Sequence, residues 1–406
     1  MSPKSQTMPR WRIGALVLFC ALPSAFEALA VIWGERHGLV GKALRDGLDF
    51  WAGGFLARHG QVNMLFDPLS YQRFLAGLFG KLPYHLWSYP PNYMLLAAAF
   101  GGLAPWHAVL AFDAVSVLLL VVVLRFSGQS WGFTAVVLLA PAGLESVLEH
   151  QNAGLMTALI GGGLLLLRAR PRLGGVLVGL ASVKPQLGLV LPLYLLRRAP
   201  VAAAYAALAA VGLAAAALYV FGPGAWVGFW RVTRPLMSNV LLTGQPTDFA
   251  GGLVSVFAAV RPLLGVQGAL AVQGAVTVAA VLAGWRARSV PVVLILSVLA
   301  SPYLHDYDLF GVALAVALLV REGLAAGFFL GEPVLYFLAW FGPGLLPWMP
   351  RFAHLTPVLL VLLLASAWRR GGVGKSCDLS QALPVSPALS AGPLATPAPP
   401  GSTEPG

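Results

Sequence analysis

Asp49-Phe50-Trp51-Ala52-Gly53-Gly54 lies in a polar break, Gly34 to Trp87, between apolar runs at 12–33 and 88–103, and how this stretch is read decides the fold. Apolar runs long enough to cross about 30 Å of hydrocarbon recur along nearly the whole chain. The break carries Asp46, Asp49 and Asp67 and ends in Trp87-Ser88-Tyr89-Pro90-Pro91. A transporter or a scaffold has little need of a large first loop rich in Asp, Trp, Tyr and His. An enzyme acting on a lipid-linked substrate must hold a polar reacting centre beside the bilayer.

Composition sets the solvent. Hydrophobic residues make up 58% of the chain and charged residues 10%, with a mean hydropathy of +0.79; a soluble domain carries about 25% charged residues. The formal charge of +11 does not point to nucleic acid, because Lys and Arg gather at the ends of apolar runs, where they set topology and meet anionic headgroups. Cys20 and Cys377 suggest neither a disulfide framework nor a metal site. Lys4, Arg10 and Arg12 precede a run that continues to Trp33 without a small-residue cleavage site, as in a retained first helix. No Gly-rich nucleotide loop, paired metal-ligand spacing or nucleophile elbow occurs, so no cofactor and no metal are expected.

The spacing predicts an all-α, polytopic transmembrane bundle of about twelve spans. They are 12–33, 88–103, 106–124, 131–148, 153–168, 173–196, 200–221, 266–285, 289–303, 307–320, 324–342 and 353–368. Residues 1–370 form the transmembrane domain, and the Pro/Ser/Ala-rich stretch 371–406 reads as a disordered tail. With the N-terminus inside, Arg197/Arg198, Arg286/Arg288, Arg321 and Arg369/Arg370 fall on the cytoplasmic side. The same count puts Arg125 and Arg168-Arg170-Arg172 outside. Either 88–103 does not cross fully, or those arginines meet anionic substrate groups. The loops 34–87, 222–265 and 301–308 share the exterior face. Within the first of them, 49–57 and 68–79 suit short helices along the interface, with Asp67 as a cap. No internal repeat of the kind that marks many transporters is visible.

Polar islands in apolar surroundings are the candidate chemistry. Asp49 suits a general base on an acceptor hydroxyl; the alternative is a helix N-cap, and Asp46 can substitute for it as base. Tyr89-Pro90-Pro91 makes a rigid turn at a membrane entrance, or an interfacial anchor. His150-Gln151-Asn152 suits sugar hydroxyls or a solvated turn. Lys184-Pro185-Gln186 interrupts an apolar run, where a lysine is costly unless it snorkels or meets an anion. In Ser301-Pro302-Tyr303-Leu304-His305-Asp306-Tyr307-Asp308, His305 and a tyrosine can donate to a phosphate while Asp306 orients the imidazole; a solvated turn is the alternative.

Taken in order, Asp-Phe-Trp-Ala-Gly at 49–53, Tyr-Pro-Pro at 89–91, Gln151-Asn152, Lys-Pro-Gln-Leu-Gly-Leu at 184–189 and the run 301–309 resemble glycosyltransferase family 87, a polytopic family of C type. The resemblance runs from about Arg12 to Trp368. It implies a multi-pass inner-membrane enzyme that takes a sugar, mannose first among the candidates, from a polyprenyl phosphate. Transfer would be to a lipid or glycan hydroxyl on the periplasmic face, with inversion. Asp49 maps to the family's base and His305 to its donor-phosphate histidine. Lys184 and Tyr303 join His305 at the phosphate, and Tyr89, Gln151, Asn152 and Asp306 are the expected substrate contacts. Where many relatives have Gly-Gln-Asn this chain has His150-Gln151-Asn152. The competing reading is a transporter or flippase of a lipid-linked or small polar substrate, with an inactive membrane scaffold third. An enzyme should bring Asp49 and His305 to one exterior cavity, whereas a transporter should show repeat symmetry and a midplane site.

Overall fold

Proline sets many of the boundaries. Six helices begin on one, at Pro68, Pro91, Pro105, Pro141, Pro171 and Pro200, where the missing N–H is not needed and φ is already helical. The computed structural model describes residues 45–80, 82, 84–243, 252–345 and 350–373, with Leu29 alone before them. Every regular element among these residues is helical, and one antiparallel bridge joins Leu253 to His305. The expected first span 12–33 and the tail from 374 onward lie outside the described residues.

Helix α1 (Arg45–Arg58) is followed by α2 (Pro68–Phe79). Asp67 starts α2 by accepting the backbone N–H groups of Leu69 and Ser70, a cap as the sequence suggests. Helix α3 (Pro91–Phe100) lies against α1. A Cβ on Gly54 would sit 2.1 Å from the Ala97 carbonyl oxygen, and one on Gly53 would sit 2.2 Å from the Trp87 ring. The glycine pair that follows Asp49 is therefore a packing device that lets two backbones touch.

The chain then runs through α4 (Pro105–Phe126), α5 (Trp131–Leu138), α6 (Pro141–Leu148), α7 (Ala153–Leu166), α8 (Pro171–Leu180) and α9 (Leu191–Arg198). Beyond these come α10 (Pro200–Gly228), α11 (Arg234–Thr243), α12 (Val256–Arg286), α13 (Val290–Ala300), α14 (Phe310–Ala326), α15 (Glu332–Leu345) and α16 (Thr356–Val373). Among the described residues, five helical stretches are long and apolar enough to cross a membrane: Pro105–Phe126, Pro200–Thr243, Val256–Arg286, Tyr307–Ala326 and Phe352–Gly371. The α5–α6 pair, bent by 58°, makes a sixth if it counts as one span. Expected spans 153–168, 173–196 and 289–303 contain shorter helices. Expected span 88–103 contains only the ten-residue α3, about 15 Å long at 1.5 Å per residue, too short to cross.

The bundle has a basic end. Arg198 donates from Nε to the Ala287 carbonyl at 2.9 Å, and Arg172 lies 5.9 Å from the Tyr205 ring near the start of α10. Arg170 stacks 3.6 Å over Phe126, while Arg321 and Arg125 both donate to Gln129. The Arg125 and Arg168–Arg172 groups thus sit at the same end as Arg321, not opposite it. Two features explain the difference from the helix count: α3 does not cross, and the segment 171–198 doubles back at Lys184, so that both its ends lie among the arginines. The polar islands gather at the other end.

Candidate active site

Asp46 and Asp49 are three residues apart on α1 and share a face. Asp49 falls inside the helix rather than at its start, so the N-cap alternative does not apply. Its Oδ1 accepts the Tyr71 hydroxyl at 2.6 Å, and its Oδ2 lies 3.2 Å from His85 Nδ1. The His85 backbone is held in turn, its N–H donating to Gln72 Oε1 at 3.0 Å. Helix α2 and the stretch after it thus buttress one carboxylate, which is 8% exposed. Asp46, half-buried beside it, accepts the Gln151 side-chain amide. Burial and then the neighbouring Asp49 charge push the Asp46 carboxyl up to about 7.

That shift has a sign. A carboxyl that holds its proton more tightly in the folded chain contributes stability at low pH and loses it as pH rises through the folded value. Asp46→Asn mimics the protonated form. Its unfolding temperature should pull ahead of wild type between about pH 4 and pH 7, with the gap constant above. Thermal unfolding across that range checks it, and a gap independent of pH would mean that Asp46 titrates normally.

Both aspartates line a cavity of ≈ 650 Å³, within the range of small-molecule sites. Tyr89, Gln151, Lys184, Arg234, Tyr303 and Tyr307 also line it, and Trp226, Trp230, Met237 and Leu241 give it an apolar wall. A π turn at Phe229–Thr233 contributes to that wall. Lys184 is 5% exposed, too deep to snorkel. Its Nζ bonds Asp308 at 2.5 Å and Asn152 Oδ1 at 3.2 Å, and lies 5.4 Å from the Tyr307 ring centre. Short 3-10 turns before and after it, Ala181–Val183 and Pro185–Gly188, set it at the point of chain reversal.

The 301–308 island is folded rather than solvated. His305 stacks on Tyr307 with rings 5.2 Å apart and 6° from parallel, edge-on to Tyr303 at 5.2 Å. The Val254 N–H bonds the Leu304 carbonyl at 2.9 Å, closing 253–254 over the histidine. Tyr303 and Tyr307 face the cavity, and His305 sits behind them, 4% exposed. Burial lowers its pKa to about 4, so the ring is neutral at pH 7. Asp308 accepts the His305 backbone N–H at 3.2 Å, while Asp306 accepts that of Tyr307 and faces Glu145.

Among the other expected residues, Tyr89 stacks on Tyr93 at 4.2 Å, and the Asn152 amide reaches the Tyr93 hydroxyl at 3.5 Å. His150 adopts a φ of 52°, a left-handed conformation that a glycine takes freely and that costs other residues about 1–2 kcal/mol. A 2.6 Å bond to Asp113 of α4 holds it there. Sequence reasoning missed Tyr71, His85, Asp113, Asp308 and Arg234 as site residues. Arg234 stands out among them: it faces the cavity, with its guanidinium 5.0 Å from the Trp230 ring. Among the described residues no group of three or more His, Cys, Asp or Glu converges to hold a metal ion.

The cavity therefore brings two carboxylates, one buttressed and one with a raised pKa, within reach of two cations and several phenols beside an apolar wall. No curated protein and no solved structure matches the chain. The description of glycosyltransferase family 87 matches residues 87–304, which take in Tyr89, Gln151, Asn152, Lys184, Arg234 and Tyr303 but stop short of Asp49 on one side and of His305 and Asp306 on the other. With more than half its length matched, the chain belongs to glycosyltransferase family 87 and is a membrane glycosyltransferase.

Proposed function

We propose that the protein transfers a sugar, mannose first among the candidates, from a polyprenyl phosphate to a lipid or glycan hydroxyl, with inversion and with Asp49 as general base. The observation that carries this is the convergence of Asp49, Lys184 and Arg234 on one cavity with an apolar wall. The acceptor oxygen attacks the anomeric carbon as Asp49 takes its proton. The bond from that carbon to the phosphate oxygen breaks, and its electron pair leaves on the phosphate. Lys184, Arg234 and the Tyr303 hydroxyl stabilise the charge that develops there. His305, neutral and stacked behind Tyr303 and Tyr307, positions those phenols rather than supplying charge. Tyr89, Gln151 and Asn152 contact the sugar or acceptor, and Asp306 supports the same turn from behind.

The arginine-rich end faces the cytoplasm in this reading, which sets the cavity on the periplasmic side of the inner membrane, where α1 and α2 lie along the interface. Residues 1–370 form the transferase unit and 371–406 a dispensable tail. The test is purified protein incubated with radiolabelled polyprenyl-phosphate mannose, glucose or arabinose and extracted envelope lipids. Label should pass to an acceptor from the mannose donor. Movement of intact donor across vesicles, with no transfer from any of the three, would make the protein a transporter.

A further inference from the structure

A second cavity, ≈ 420 Å³, lies at the basic end, away from the aspartates. Arg197 and Arg198 at the close of α9, Arg286 and Arg288 around the close of α12, Ser289 and Trp368 line it. Depth separates the two sites. Thr277 bonds the Ala300 carbonyl just before the 301–308 turn, and the nine residues from there to Arg286 add about 14 Å of helix.

Three observations point to an anion. Among the described residues no carboxylate pairs with any of these four arginines, whereas Arg369 and Arg370 at the same end both pair with Glu332. The four guanidinium groups are solvent-exposed, so water screens part of their repulsion, yet with no carboxylate beside them they leave the hollow positive. Next, Arg198 is anchored, its Nε and Nη2 donating to the Ala287 and Arg286 carbonyls at 2.9 and 3.3 Å, and Arg197 lies 4.9 Å from the Trp285 ring. Two of the four are thus fixed in place with donors to spare. Finally, Ser289 is the N-cap of the eleven-residue α13 but caps nothing; its Oγ is buried without a hydrogen-bond partner, and Val292 of the first helical turn also lines the cavity. An unused hydroxyl and a helix N-terminus add to the arginines' preference for negative charge.

We propose that this cavity binds a phosphate-bearing anion. Trp285 and Trp368, each 39% exposed beside it, suit the depth of lipid headgroups. A phospholipid headgroup and a soluble phosphate share the chemistry, and the experiment separates them. Protein in phosphatidylcholine nanodiscs is titrated with phosphatidylglycerol or with inorganic phosphate, and followed by thermal unfolding and by lipid retention in native mass spectrometry. Saturable stabilisation is expected in the wild type from at least one of them, weakened at least tenfold in Arg286→Gln/Arg288→Gln. Arg286→Lys/Arg288→Lys keeps the charge that orients the chain but loses the planar fork, and should weaken binding by less. If the Gln pair fails to insert, the Lys pair and Ser289→Val decide. Saturation by phosphatidylglycerol alone assigns a lipid, and saturation by inorganic phosphate assigns a soluble ligand. Equal response of the wild type and the altered chains, or no saturable response to either anion, overturns the proposal. The reading is binding at the far end of the bundle, so its failure leaves the transferase assignment untouched.

Discussion

Asp49→Asn should give a folded, inserted protein that transfers sugar roughly a hundred- to ten-thousandfold more slowly, the usual effect of losing a general base. The amide keeps the size of the carboxylate and one acceptor oxygen. Asp49 accepts from Tyr71 at one oxygen and contacts His85 at the other, so the new NH2 group must face one of them. A neutral His85 can meet it by turning its Nδ1 into an acceptor. The expected loss of stability is therefore modest, about 1 kcal/mol, and the loss of rate is not a folding effect. Initial rates at saturating donor, with a thermal unfolding control, make the measurement. Full activity in Asp49→Asn together with loss in Asp46→Asn would move the base one turn up the helix. Full activity in both would remove the proposed mechanism.

Lys184→Met should be the most damaging single change at the leaving-group side. Asp308, whose side chain is fully buried, would lose the ammonium 2.5 Å away. Removing one partner of a buried pair costs about 3–5 kcal/mol, and losing a donor to the departing phosphate costs on the order of a hundredfold in rate. The two effects separate in the double variant Lys184→Met/Asp308→Asn. It should recover most of the thermal stability, since no unpaired charge remains, and none of the activity. Recovery of both would make Lys184 a structural partner of Asp308 alone and would leave Arg234 as the phosphate's cation.

The membrane class was legible because an apolar run of spanning length needs no tertiary information. So were the islands, since a lysine or a run of His and Asp in such surroundings must meet something. What the sequence concealed was pairing. Tyr71 and His85 reach Asp49 across 22 and 36 residues, and Lys184 reaches Asp308 across 124; no local periodicity encodes those distances. The reversal at Lys184 was hidden for the same reason. A continuous run from Gly174 to Leu196 looks like one span, and only the exposed cost of Lys184-Pro185 hinted that the chain turns there. His305 was singled out within a dense polar turn, but the sequence could not say that two tyrosines stand between it and the cavity.

The apolar wall of the large cavity has a kinetic consequence. It is carried by α10 and α11 beyond a break at Gly222, whose φ of 74° interrupts the helix. Val227 on this segment is 49% exposed, and in the proposed membrane setting that outer side meets lipid. The proposed donor would then reach its site by diffusing in the plane of the bilayer, with no step through water. Its effective concentration is a mole fraction rather than a molarity. Adding inert lipid at a constant bulk amount of donor should slow the enzyme as surely as removing donor, and a Michaelis constant for this substrate has meaning only when quoted per lipid.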